Sequence, residues 1–167
     1  MSQAGDSLTR QLEALAPRSI LAVGEKAAAL IAPYRDSHPD CEYTPAASDE
    51  EIRSLTSAPP EQRYDFGLVA GHLETADPKS GATLLARLRD VLVRRLCVVI
   101  RDDDPAPDRP WSDLEMKAFG LSLLERRHEE DAVYRIYGFD IASYKRTPDW
   151  LSPRHWAHPE RWNKERW

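Results

Sequence analysis

Three short apolar runs separated by stretches of helical periodicity constrain this chain more than anything else in it. Ser19–Val23 reads SILAV, Tyr64–Ala70 reads YDFGLVA, and residues 95–100 read RLCVVI. A run that stays apolar at consecutive positions has no solvent face, so it suits a strand covered on both sides. Helical patterns lie between the runs. Residues 26–32 are rich in alanine, and residues 78–93 place Leu84, Leu85, Leu88 and Leu92 along one face. Strand, helix, strand, helix, strand predicts right-handed crossovers. The expected fold is therefore α/β, with a mostly parallel sheet covered by helices on both faces.

The flanking segments extend that frame. Leu8, Leu12 and Leu15 predict a lead-in helix over residues 7–15, stopped by Pro17. Pro33 is expected to end the alanine-rich helix, ahead of a second strand at residues 41–44. Ser48-Asp49-Glu50-Glu51 is a capping-box pattern and opens a short helix through Leu55. Ser112 caps another within residues 111–118. Residues 119–124 and 132–141 then read as an antiparallel pair, with the polar stretch 128–131 as their turn.

The chain has 167 residues, enough for one hydrophobic core, and divides into a domain over residues 1–142 and a tail over residues 143–167. No apolar run approaches the roughly 20 residues that cross a bilayer, and the polar start has no leader pattern, so a cytoplasmic protein without membrane contact is expected. Cys41 and Cys97 lie far apart, which fits neither a zinc ribbon nor a disulfide framework. Seven glycines against thirteen prolines also argue against a phosphate cradle built from glycine backbone.

Short strings within this frame resemble the class I S-adenosylmethionine-dependent methyltransferases. Ile20-Leu21-Ala22-Val23-Gly24-Glu25-Lys26-Ala27-Ala28 stands where that family has its first strand, an acid and a loop of alternating glycines. The segment from Tyr64 to Glu74 resembles its fourth strand and the loop after it. Phe119-Gly120-Leu121 and Tyr137-Gly138-Phe139 fall where its last hairpin belongs. The sequence also resembles bacterial families that combine this core with a Trp-rich end. The resemblance implies a Rossmann-like sheet with a closing antiparallel hairpin. Only about twenty residues separate the second strand from Tyr64, so one strand of the family's core is expected to be lost.

What the resemblance implies for activity turns on the departures. Ala22 stands in the place of the first acid, Lys26 and Ala28 in those of the second and third glycines, and the second strand ends in Thr44-Pro45-Ala46 without an acid. The first expectation is accordingly a degenerate domain with no cofactor, acting as a binding or interaction module. The alternative is an active methyltransferase that holds S-adenosylmethionine in a remodelled loop, with an unknown substrate. On that alternative Gly24, Glu25, Lys26 and Gly71 are the cofactor-binding candidates, and His72 and Glu74 the catalytic ones. An imidazole titrates near neutral pH and suits proton transfer, and Glu74 stands close enough in sequence to orient it. Each candidate also has a plain structural reading: a tight turn at Gly24, a surface pair at His72 and Glu74.

Other clusters carry less. Asp102, Asp103 and Asp104 with Pro105, Pro107 and Pro110 read as a rigid solvated loop, with a cation site as the other option. His128-Glu129-Glu130 lacks a partner cluster, and Pro159 interrupts the spacing of His155 and His158, so no metal is expected.

The tail is different in kind. Trp150, Trp156, Trp162 and Trp167 recur at intervals of six, six and five, interleaved with Arg154, Arg161, Lys164 and Arg166. Neither helix nor strand periodicity produces those intervals. The tail holds six basic and three acidic side chains, which leaves residues 1–142 with 17 basic against 25 acidic. Three readings stay open: a latch that plants indoles on the domain, an anchor for an unknown protein partner, and a stacking surface for single strands of nucleic acid. The acidic body opposes the last, so a nucleic-acid partner is not expected.

Overall fold

A computed structural model describes residues 2–102, 111–129 and 132–142, with side chains from Leu8 onward. Helix α1 (Ser2–Leu15) begins earlier than its leucines predict and buries Leu8 and Leu12. Strand β1 (Ser19–Val23) has the bounds read from SILAV. Helix α2 (Ala27–Ser37) and strand β2 (Glu42–Ala46) follow, then α3 (Asp49–Ser57) and β3 (Tyr64–Ala70). Helix α4 (Pro78–Arg87) widens into one π turn at Leu88–Leu92 before β4 (Val93–Asp102). Helix α5 (Asp113–Ala118) leads to the hairpin β5 (Ser122–Glu129) and β6 (Ala132–Asp140).

The six strands lie in the order β2-β1-β3-β4-β6-β5. The first four run parallel, and β6 pairs antiparallel with both β4 and β5. Only α3 connects β2 to β3, so the fold is a shortened Rossmann-like sheet of the methyltransferase type. One face packs Leu12, Leu30, Ile31 and Tyr34 of α1 and α2 onto Ile20, Phe66, Leu68 and Cys97. The opposite face packs Ile52, Leu84, Leu85 and Met116 of α3, α4 and α5 onto Val23, Val69, Val98 and Tyr137. Among the described residues no helix is long and apolar enough to cross a membrane.

Several boundaries differ from the sequence reading. Pro33 does not end α2, because Ala27, Leu30, Ile31 and Tyr34 form one buried stripe that carries the helix a turn further. Pro45 lies inside β2, which is an edge strand and therefore needs fewer backbone donors. The helix expected through Val93 leaves its α form at Arg87 and ends its π turn at Leu92, and β4 starts two residues earlier than residue 95. His128 and Glu129 are not in the turn; they extend β5 opposite Val133 and Ala132.

Candidate functional site

In an open parallel sheet, ligands gather beyond the carboxyl ends of the strands, where backbone and side chains from several loops converge. Here that edge is formed by the exits of β1, β2, β3 and β4. The chain leaves β1 through Gly24, whose φ of +98° is open to glycine and costly for other residues. A Cβ on Gly24 would stand 2.3 Å from the Ala70 carbonyl oxygen and 3.1 Å from the His72 Cβ. The turn is thus pressed against the exit of β3. Its amides are also spent: Gly24 N–H donates to the Ala46 carbonyl (2.9 Å), Lys26 N–H to Ala70 (3.2 Å), and Ala27 N–H back to Gly24 (3.2 Å).

The side chains follow the same closure. Glu25 is exposed, whereas the stem of Lys26 lies over Gly71, with its Cγ 2.8 Å from where a Cβ on Gly71 would stand. Lys26, Gly71, Glu74 and Tyr134 leave a gap of only about 10 Å³ between them. Glu74 Oε1 accepts the backbone N–H of Arg101 (2.9 Å) and so ties the β3 loop to the exit of β4. His72 faces the other way. Its carbonyl accepts the N–H groups of Thr75 (3.2 Å) and Ala76 (3.0 Å), and the residue lines a polar cleft between α3 and α4. The structure therefore places His72 and Glu74 in one loop without bringing their side chains to one site.

That cleft has a volume of about 460 Å³ and is bordered by Asp49, Arg53, His72, Asp77 and Ser80. Two helices begin at it. Ser48 Oγ accepts Glu51 N–H at the start of α3, and Glu51 returns the bond to Ser48 N–H. The bond that the Glu51 carboxylate accepts from Ser48 N–H, with others from Ser48 Oγ–H and Ala47 N–H, holds it below its usual range. Asp77 accepts Ser80 N–H (3.1 Å) at the start of α4. Asp49, Arg53 and Asp77 were not singled out from the sequence. The signal was present in outline, since a cap that directly follows a parallel strand lies on the carboxyl edge.

A second arrangement at this edge joins β4, α5 and β6. Arg135 is fully buried, and its Nη1 donates to the Trp111 carbonyl (2.8 Å), Asp113 Oδ1 (3.1 Å) and the Tyr137 hydroxyl (2.6 Å). Its Nε stands 3.1 Å from Asp102 Oδ2. Asp102 is accordingly a buried ion-pair partner and does not belong to a solvated loop. The Tyr137 hydroxyl donates to Asp113 at 2.5 Å, which lowers the Asp113 carboxyl below its usual range, with Arg135 and Arg126 adding to the effect. Burial first, and then that bond to Asp113, push the Tyr137 phenol up to about 12.

Among the described residues no three His, Cys, Asp or Glu side chains converge as metal ligands do. Asp103, Asp104, His155 and His158 lie outside the described residues, as do Trp150, Trp156, Trp162, Trp167, Arg154 and Arg161.

One family model spans residues 2–167, and its description reads "Family of unknown function (DUF6231)". The chain belongs to this family. No curated protein matches the DUF6231 chain. Its fold is shared by solved methyltransferases. Mitomycin 7-O-methyltransferase MmcR superposes with a TM-score of 0.57 at 16% identity, over 83% of this chain and 53% of that one. The 1,6-didemethyltoxoflavin-N1-methyltransferase of Burkholderia thailandensis, with bound 1,6-didemethyltoxoflavin and S-adenosylhomocysteine, gives 0.51 at 16% identity, over 81% and 76%. SibL, an S-adenosylmethionine-dependent methyltransferase in its apo form, gives 0.52 at 14%, over 83% and 55%. The DUF6231 chain thus spans about half the length of the mitomycin enzyme and of SibL. At these identities the likeness establishes the class I methyltransferase-like fold of the DUF6231 domain.

Proposed function

We propose that this DUF6231 protein is a methyltransferase-like domain that binds without transferring a methyl group, an interaction or ligand-binding module on a shortened form of the fold. One observation carries the reading: the turn after β1 is closed against β2 and β3. S-adenosylmethionine in this fold needs room beside that turn, and here the amides of Gly24 and Lys26 are held by Ala46 and Ala70 while the Lys26 stem covers Gly71. The buried acid that would meet the cofactor is missing as well, because Ala22 stands in its place, 2% exposed within β1. These residues do not fit the cofactor. The cleft between α3 and α4 then offers room for a ligand on this edge, and its lining of carboxylates, hydroxyls and Arg53 suits a polar one.

A second reading has a specific observation in its favour. At about 460 Å³ the same cleft lies within the roughly 300–1,000 Å³ of small-molecule sites, and Asp49 stands three residues beyond the last residue of β2. A working methyltransferase that seats its cofactor there, away from the closed turn, would use Asp49 and His72.

Thermal unfolding of the full chain with S-adenosylmethionine or S-adenosylhomocysteine separates the two readings. A ligand at a hundred times its Kd stabilises by about 2.7 kcal/mol, which raises the Tm of a chain this long by several degrees. The binding-module reading expects no shift at millimolar ligand. A saturable rise with either compound overturns it in favour of the second reading.

A further inference from the structure

A further cavity lies at the opposite end of the sheet from the carboxyl edge. It measures about 690 Å³ and opens between the end of α1 and the β5–β6 hairpin, with Leu15, Phe66, Cys97, Leu124, Gly138 and Phe139 among its walls. A narrower cavity of about 140 Å³ shares Gln11, Cys97 and Leu124 with it and continues past Leu8 and Ile136. Together they form one groove. The reason it exists is the strand order: α1 and α2 cover this face over β1, β3 and β4, and the hairpin projects beyond them.

The groove is built for apolar contact and leaves that contact unmade among the described residues. Leu124 sits at the register break between Leu123 and Glu125, and this bulge turns it onto the groove side, where it lies over Gly138. Leu124 remains 54% exposed and Leu15 37%. Apolar side chains that face each other across a cavity and stay wet point to an occupant.

The chain itself supplies one. β6 ends at Asp140, which lines the mouth of the groove, and Ile141 N–H donates to the Arg94 carbonyl (3.1 Å), so the chain leaves the sheet there. The next 25 residues carry Trp150, Trp156, Trp162 and Trp167. At about 3.3 Å per residue, the eight steps from Ala142 to Trp150 reach up to about 26 Å from the end of the described hairpin. Charge favours the same pairing, with three excess cations in the tail and eight excess anions in the body. The family model also runs through residue 167, so the tail is part of the sequence that the family shares.

We propose that residues 143–167 fold back on their own domain and seat tail indoles in this groove, between Leu15 and Leu124. Each indole so placed removes the exposed apolar surface on both sides, and the segment closes the uncovered face of the hairpin. The proposal is independent of whether the carboxyl edge binds a cofactor.

A photoreactive benzophenone residue in place of Leu124 in the full chain tests it. Irradiation followed by peptide mapping is expected to give an adduct within residues 143–167 at the mass of the monomer, with a yield unchanged on tenfold dilution. An adduct to a second copy, at the mass of a dimer, overturns the proposal, and so does labelling that leaves the tail untouched. Leu124→Glu gives a second measure at a position exposed enough to accept a carboxylate. Trypsin cleavage after Arg154 and Arg161 is expected to quicken roughly tenfold, since it tracks the population of the open form. Equal rates in the variant and the wild type overturn the proposal as well.

Discussion

Buried Arg135 and Tyr137, with Asp113 at the surface beside them, form the polar group whose removal reads out most directly. A buried guanidinium persists in a core where its charge is compensated, and here Nη1 bonds Trp111, Asp113 and Tyr137 and the Asp102 carboxylate stands 3.1 Å from Nε, while Nη2 meets no hydrogen-bond partner among the described residues. The Tyr137 phenol titrates near 12 in the folded chain against about 10 for its ordinary value. Because the folded value is the higher one, the native state holds its proton more tightly. The stabilisation is therefore complete below pH 10 and is lost as pH rises towards 12. Tyr137→Phe is expected to lower stability by about 1–3 kcal/mol at pH 7, through the loss of its bond to Asp113 and of an acceptor for the buried Arg135. The gap between wild type and variant should shrink between pH 10 and 12, as measured by urea unfolding across that range; a constant gap would contradict the assignment. At this scale the sequence shows less than the structure. The alternation of β6 marks Arg135 as an inward position, but its partners come from β4 and from the segment before α5, which sequence order does not place together. His72 and Glu74 show the reverse case, neighbours in sequence whose side chains serve different gaps.

Elements were more legible, and where they were not, packing had overruled local preference. The apolar runs marked β1 and β3 because residues 20–23 and 66–70, the stretches buried on both faces, carry no polar side chain. Ser48 and Ser112 announced α3 and α5 because a capping box is a local device. The length of α2 was hidden, since Pro33 is a local stop signal that a buried Tyr34 outweighs. Helix α4 shows the same contest at Gly81. Alanine is preferred to glycine inside a helix by about 0.8–1 kcal/mol, so propensity alone predicts that Gly81→Ala stabilises. The structure predicts the opposite sign. Trp111 lies across this position, and a Cβ on Gly81 would stand 2.5 Å from its Cζ2. The indole cannot retreat cheaply, because its Nε1–H donates to the Leu73 carbonyl (2.9 Å) and the ring is buried beside Phe119. Gly81→Ala is thus expected to destabilise by about 1–3 kcal/mol through overpacking, as measured by chemical denaturation. A variant as stable as wild type, or more so, would show that Trp111 does not hold α4 in this way.

For the molecule as a whole, topology was legible because a strand–helix alternation admits few arrangements once crossovers share one hand. The state of the carboxyl edge was not, since it depends on how three strands end relative to one another. The sequence shows a lysine where the fold's cofactor loops carry glycine, which suggests a side chain in the way. The structure adds a different obstacle. Ala46 at the end of β2 accepts Gly24 N–H, and Ala70 at the end of β3 accepts Lys26 N–H, so the turn is sewn to a strand on each side. Removing the Lys26 side chain clears the space over Gly71 and leaves both bonds in place. A ligand entering beside the turn would still have to break them, at about 0.5–1.5 kcal/mol for each bond and about 1–3 for each buried carbonyl left unmet. Those costs are of the same order as the stabilisation that a modest ligand supplies. Lys26→Gly is therefore expected to fold with a small change in Tm, since glycine is tolerated at a helix N-cap such as this one. It is expected to show no further change with millimolar S-adenosylhomocysteine. A rise of several degrees on adding that compound to the variant, absent in the wild type, would mean that one side chain and not the paired strands keeps the edge shut.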